Sequence, residues 1–169
     1  LTGFGTRTIY ADPVALPDAE EERLGLTRVE FGELLARSNV VVMMVPLAQS
    51  NIHLIGATAI ATMQRGAFLV NVGRGSVVDE KAVADALDSG QLAGYAADVF
   101  EMEDWARPDR PPTIDPRLLR HVDRTLFTPH LGSAVGDVRL QIEMAAASNI
   151  LQALRGERPA GAVNDVLKA

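Results

Sequence analysis

Short apolar runs alternate along the chain with stretches whose apolar residues recur every three or four positions. The runs occupy residues 8–11, 39–45 (NVVVMMV), 67–72, 94–100 and 125–128. A continuous apolar, β-branched run of this length predicts a strand buried on both faces. Between the runs, Phe31, Leu34 and Leu35 fall at helical spacing and predict a helix over residues 29–36. Residues 53–64 predict a second helix, stopped by Gly66. Residues 79–87 predict a third, with acidic residues in its first turn and Gly90 after its end. A long helix is predicted from Ser133, as its N-cap, to Leu154, with Gly156 as its stop. The acidic run 18–22 predicts a solvated helix face, and residues 157–169 have no clear period. Strand–helix alternation with wholly apolar strands predicts an α/β fold: a parallel sheet covered on both faces. The Pro-, Asp- and Arg-rich stretch 101–116 predicts an active-site or crossover loop.

Composition narrows the function classes. The chain's 169 residues suit about one domain with a sizeable core. Acidic side chains outnumber basic ones, 22 to 16, for a net charge of −6. That leaves no basic footprint for nucleic acid or an anionic membrane surface. The absence of cysteine excludes disulfides, thiolate catalysis and thiolate-bound metals, and suits a reducing compartment, so a cytoplasmic location is expected. No apolar run approaches the ~18 residues of a membrane span. No His, Asp or Glu cluster has metal-ligand spacing.

Ligands of an open parallel sheet bind beyond the carboxyl ends of its strands, so the residues that follow each run are the candidates. Asp12 and Pro13 follow the first run, Pro46 the second, Gly73-Arg74-Gly75-Ser76 the third, Asp98 and then Glu103 the fourth, and Pro129-His130 the fifth. With neighbouring strands about 4.8 Å apart, Arg74, Glu103 and His130 are expected to converge on one crevice. A guanidinium can hold an anionic substrate bidentately. An imidazole can exchange a proton with a substrate oxygen, and a carboxylate can orient it and favour its charged form.

The segments VNVGRGSVVDE, GYAADVFEMED and LFTPHLGSA resemble, in order and spacing, the signature blocks of the D-isomer-specific 2-hydroxyacid dehydrogenases. The resemblance implies a Rossmann-type doubly wound parallel sheet, NAD as cofactor and hydride transfer as the reaction. It assigns substrate binding to Arg74, and pairs Glu103 with His130. Asp12 matches the residue that accepts hydrogen bonds from the adenine ribose and repels the 2′-phosphate of NADP. Asp98 matches the contact to the nicotinamide carboxamide, while Pro13, Pro46, Val72, Gly73, His130, Gly132 and Ser133 match positions that line or abut the dinucleotide. Asn51 stands where the family commonly has Thr. The stretch EMEDWARPDRP, with RLGL and VRLQIE, is similar to the phosphite (phosphonate) dehydrogenase branch, in which the match to Arg139 lies near the active site.

The resemblance also implies parts that precede Leu1 in family members: most of a substrate-binding domain, and the first strand with its glycine-rich phosphate loop. Gly3 and Gly5 do not form that loop. The chain therefore reads as a C-terminal fragment: residues 1–156 a partial NAD-binding domain, and residues 157–169 a tail returning toward the substrate-binding domain. With the central strand missing, two strand edges are expected to lie unpaired, and the chain alone is expected to be marginally folded and inactive. The intact protein is expected to form a homodimer. Its leading activity is oxidation of phosphite to phosphate with NAD. The alternatives are a D-2-hydroxyacid as substrate, or a dinucleotide-sensing corepressor-like binding protein. A formate dehydrogenase is disfavoured, because that branch carries Gln where Glu103 stands. His53 is read as a helix-start residue, His121 as a surface residue, and Trp105 as either a pocket wall or a loop anchor. Met43, Met44 and Met144 are read as core filler, and residues 144–148 as a packing face or dimer interface.

Overall fold

The computed structural model describes residues 2–164, which fall into two compact units, Leu1–Pro129 and His130–Ala169. In the first unit β1 (Thr8–Tyr10) leads through α1 (Asp18–Leu24) to β2 (Leu26–Arg28). There follow α2 (Phe31–Arg37), β3 (Val40–Met43), α3 (Ala57–Thr62), β4 (Ala67–Asn71), α4 (Glu80–Asp88), β5 (Leu92–Ala97), α5 (Pro116–Arg120) and β6 (Thr125–Phe127). All strand pairs are parallel, in a two-stranded sheet β1-β2 and a four-stranded sheet β3-β4-β5-β6. β1 and β3 do not pair with each other, so each presents an edge without a strand partner among the described residues.

Register divides the larger sheet into two rows. One row contains Val41, Leu69 and Tyr95, and beside it Met43, Asn71 and Ala97, all buried. These pack with Leu35 of α2, Ile60 of α3, Val83 and Leu87 of α4, and Leu118 of α5 in one core. The other row contains Val40 and Phe68, 53% and 50% exposed, with Val42 and Leu126 also exposed. The expected burial of 39–45 and 67–72 on both faces is therefore corrected to burial on one. An apolar run reports that a face can be covered, and α2 to α5 cover only one.

Local signals hold at several helix ends. The Asp79 side chain caps α4 by accepting from the Lys81 and Ala82 amides. Asp115 caps α5 through the Arg117 amide, with Pro116 at the first helical position. The acidic residues of 18–22 lie in α1, which buries no residue. The second unit holds α6 (Gly136–Leu154), followed by Gly156 at φ +71°. α6 begins after Val135, not at Ser133, because the chain first turns with the Ala134 amide bonded to the Leu131 carbonyl. Met43 is buried, but Met44 and Met144 are 75% and 62% exposed, so the core-filler reading holds only for Met43. Residues 144–148 are exposed, and residues 165–169 of the expected tail lie outside the described residues. No helix among the described residues is long and apolar enough to cross a membrane.

Candidate active site

The apolar strand β4 ends on a polar residue, Asn71, which is fully buried. Its side chain accepts from the Gly73 amide at 3.2 Å and donates to the Arg74 carbonyl at 3.0 Å, so it closes the turn that carries Arg74. Both glycines of that turn are required by close approach. A Cβ on Gly73 would lie 2.8 Å from the Val45 carbonyl oxygen, beyond the end of β3. A Cβ on Gly75 would lie 1.9 Å from the Phe100 carbonyl carbon, beyond the end of β5. Arg74 is thus held between the ends of the two neighbouring strands. Its side chain is exposed, donates to the Gly73 carbonyl and forms no ion pair among the described residues. That leaves its planar fork of donors turned to solvent and able to take an oxyanion.

Glu103 closes the 3-10 turn Glu101–Glu103, where its Oε1 accepts from the Phe100 amide at 3.0 Å. This turn packs on the Arg74 turn through a buried polar network. Asp104 accepts from the Ser76 amide at 2.7 Å. Glu80 and Glu101 each accept from the other's backbone amide, at 2.9 and 3.2 Å, and Glu80 also accepts from the Asp115 amide. Burial pushes the Glu80 carboxyl above its usual range, partly offset by those backbone donors. The Ser76 hydroxyl is fully buried without a hydrogen-bond partner among the described residues. Asn71, Glu80, Glu101 and Asp104 were not foreseen as site residues. For Asn71 the signal was available: a polar residue ending an apolar strand before glycine.

His53 departs from its expected role. Helix α3 starts only at Ala57, after Gly56, and His53 sits in the left-handed region at φ +52°. The backbone of residues 53–55 pairs instead with the Arg74 turn: the His53 amide donates to Ser76 and the Ile55 amide to Val77. The His53 ring reaches Glu101 at 2.7 Å. His121 is also more than a surface residue, since it bonds to Asp88 and to Arg124 with a side chain only 14% exposed. Trp105 is 79% exposed, with the Arg110 guanidinium 4.2 Å from its ring centroid, a cation–π pair.

The positions matched to a dinucleotide lie at the ends of the strands. Asp12, exposed beyond β1, accepts from the Val14 amide through Oδ1, and its other oxygen has no donor among the described residues. Arg28, at the end of β2, grips the Asp12 and Pro13 carbonyls at 2.8 to 3.3 Å. Its guanidinium does not engage the Asp12 carboxylate. This cation beside Asp12 was missed because 16 residues separate the two. Asn51 closes the turn after Pro46, donating to its carbonyl and accepting from Ala48, which is why Asn serves at this position. Val72 is exposed beside Gly73, and Asp98 accepts from the Thr128 hydroxyl. A free carboxylate oxygen at the β1 end, and a turn at the β4 end in which glycine alone fits, suit an extended dinucleotide. His130 opens the second unit at φ +54°, followed by Gly132 and Ser133, and Arg139 is exposed on α6. Among the described residues no group of three or more acidic or histidine side chains could hold a metal.

Comparison with known proteins agrees with this geometry. The chain is 38% identical over 162 residues to a glyoxylate reductase of Korarchaeum cryptofilum, and 36% identical over 166 residues to one of Thermococcus litoralis. These matches take in 96% and 98% of this chain but 46% and 47% of those proteins. The chain thus spans about half the length of the curated relatives it matches. Among solved structures, a glyoxylate reductase from Paecilomyes thermophila aligns with a TM-score of 0.79 and 34% identity, covering 93% of this chain and 45% of that one. A D-lactate dehydrogenase from Aquifex aeolicus complexed with NAD and lactic acid aligns with a TM-score of 0.83 over 99% of this chain and 52% of that one; at 24% identity it speaks for the fold. The profile of the D-isomer specific 2-hydroxyacid dehydrogenase NAD binding domain matches residues 1–132, and the chain belongs to that family.

Proposed function

We propose that the protein exchanges hydride between NAD and a small anionic substrate held by Arg74, and that this substrate is a 2-oxoacid/2-hydroxyacid pair of glyoxylate size. The observation that carries the reading is the Arg74 turn: a guanidinium without an ion pair among the described residues, fixed at a strand end by two glycine contacts. Relatives named glyoxylate reductases support the substrate class. Bound NADH would supply the hydride that adds to the carbonyl carbon. In this reading Arg74 holds the carboxylate, His130 gives its proton to the carbonyl oxygen, and Glu103 is the carboxylate that the family resemblance pairs with His130. Glyoxylate, NADH and one proton thereby become glycolate and NAD. Asp12 holds the adenine ribose and Asp98 the carboxamide, with Pro13, Pro46, Val72, Gly73 and Gly132 along the dinucleotide and Arg139 toward the substrate. Residues 1–156 are assigned to the NAD-binding domain. A homodimer is proposed as well; the exposed apolar side chains of α6, such as Leu140, Ile142 and Leu151, support it.

A second reading, in which phosphite is the hydride donor, is favoured by the loop after Glu101. EMEDWARPDRP resembles the phosphite-oxidising branch, and it stacks Arg110 on Trp105, with Arg110 also bonded to the Met102 carbonyl. The discriminating test is the nicotinamide absorbance of the purified full-length protein, read with NADH plus glyoxylate and with NAD plus phosphite. Consumption of NADH with glyoxylate is the expected result. Phosphite-dependent NAD reduction without glyoxylate turnover moves the assignment to phosphite. NAD binding with neither activity rejects both in favour of a dinucleotide-sensing protein.

A further inference from the structure

We infer that His53 is a positioning residue that sets the Arg74 turn against the Glu103 turn. This rests on the roles proposed above for Arg74 and Glu103. His53 ties both turns from outside them, beside the direct bond from the Ser76 amide to Asp104. Its backbone amide donates to the Ser76 carbonyl at 2.7 Å, inside the Arg74 turn. Its ring lies 2.7 Å from Oε2 of Glu101, the residue that opens the Glu103 turn. A carboxylate only accepts, so Nε2–H donates to Glu101. Glu101 is buried and takes a second donor, the Arg107 guanidinium, at 3.2 Å on the same oxygen, while its other oxygen receives the Glu80 amide. Arg107 is itself fixed by two hydrogen bonds to Asp109. Arg107 is thus anchored in its own loop and the Glu80 amide at the start of α4, while His53 links this buried carboxylate to the Arg74 turn.

The backbone supports the same conclusion. His53 adopts φ +52°, a conformation uncommon for a residue with a side chain. Gly and Asn enter this region at least cost, and His is among the residue types found there more often than most. What an imidazole adds is reach: it spans from a backbone bonded to Ser76 to a carboxylate 48 residues later in the sequence.

The test compares three variants of the full-length protein. His53→Asn keeps the left-handed backbone and is too short to reach Glu101. His53→Gln restores a donor of suitable length. Glu101→Gln loosens the same link from the other side. Misplacing a catalytic group by about 1 Å costs on the order of 10²-fold. His53→Asn is therefore expected to raise the substrate KM and lower kcat together, with kcat/KM down about 100-fold and the NAD dissociation constant within about twofold. His53→Gln should recover at least about tenfold of that loss, and Glu101→Gln should move KM and kcat in the same joint sense. Amide hydrogen exchange supplies a readout that needs no turnover: Val77, Val78, Glu103 and Asp104 should lose protection together in His53→Asn. Wild-type KM and kcat in His53→Asn overturn the inference. So does a loss that follows the melting temperature alone without rescue by Gln, or exchange that rises in only one of the two turns. If His53→Asn does not fold, Gln and Glu101→Gln decide by the same readings. A wild-type protein inactive on both glyoxylate and phosphite rejects the proposed function, and the exchange measurement then still decides whether His53 joins the turns.

Discussion

Two regions of the first unit are built by opposite means: the Arg74 and Glu103 turns rest on buried contacts, the Asp12 end on exposed ones. Ser76, Val77 and Val78 have no solvent exposure, and Glu80, Glu101 and Asp104 are buried around them. Residues 3–30, with both strands of the smaller sheet, include no buried residue. Asp12 is held there by an exposed bond from Val14 and by Arg28 on its carbonyl. Where a substrate's orientation must be fixed, low exposure makes each misplaced atom costly. Where a cofactor is chosen by charge, one exposed carboxylate can do the choosing without a packed surround. Damage to the first region should therefore spread through fold and function together. Damage to the second should change selectivity and leave the fold alone.

The largest expected break is Gly75→Ala. Its Cβ has no room against the Phe100–Glu101 backbone, and neither partner is a flexible side chain. The loss should reach about 3 kcal/mol or more, seen as a fall in the denaturation midpoint together with loss of activity. Retained stability would show that the two turns can separate without cost. Next come Arg74→Ala and His130→Ala, each expected to lower kcat/KM by on the order of 10²–10⁴ while NAD titrations stay near wild type. Wild-type turnover in either variant removes that residue from the mechanism.

The Asp12 end should respond differently. Asp12→Ala is expected to shift the ratio of NADP to NAD affinity by about tenfold toward NADP, with an unchanged melting curve. The Arg28 guanidinium left beside the site would favour the added phosphate. A wild-type preference for NADP, or a variant that melts early, would contradict the contrast between the regions. The smallest effect sharpens it from the buried side. The Ser76 hydroxyl is enclosed without a partner among the described residues, and an unmade buried hydrogen bond costs about 1–3 kcal/mol. Ser76→Ala should raise stability by about 1 kcal/mol in a denaturant titration, and a loss of stability would mean that the hydroxyl is satisfied in solution.

Much of this was legible before any fold was seen, for identifiable reasons. The runs at 39–45, 67–72 and 94–100 announced strands because 40–45, 67–70 and 95–97 are uninterrupted apolar stretches, which leave few alternatives. Asp79 and Gly90 marked α4 because caps act on adjacent backbone. β2 escaped notice because Leu26-Thr27-Arg28 is too short to show a period. α5 starts where the expected loop 101–116 ends and was not expected, although Asp115-Pro116 is an N-cap followed by a first-turn proline. Burial of the strands on both faces was the wrong expectation, since sequence pattern cannot say which helices arrive.

The sequence by itself determined the order of five of the six strands and of α2, α3, α4 and α6 between and after them, the glycines around Arg74 and the carboxylates after β1 and β5, because these depend on neighbours within a few residues. Only the tertiary structure decided that Glu101 and Asp104, which look solvated in an acidic loop, lie buried beneath the Arg74 turn. Only it placed Arg28 beside Asp12 and turned His53 from a helix start into a link to Glu101. Those pairings join residues 16 to 48 positions apart, and at such separations it is the packing of the sheet and its helices, not local preference, that selects a side chain's partner.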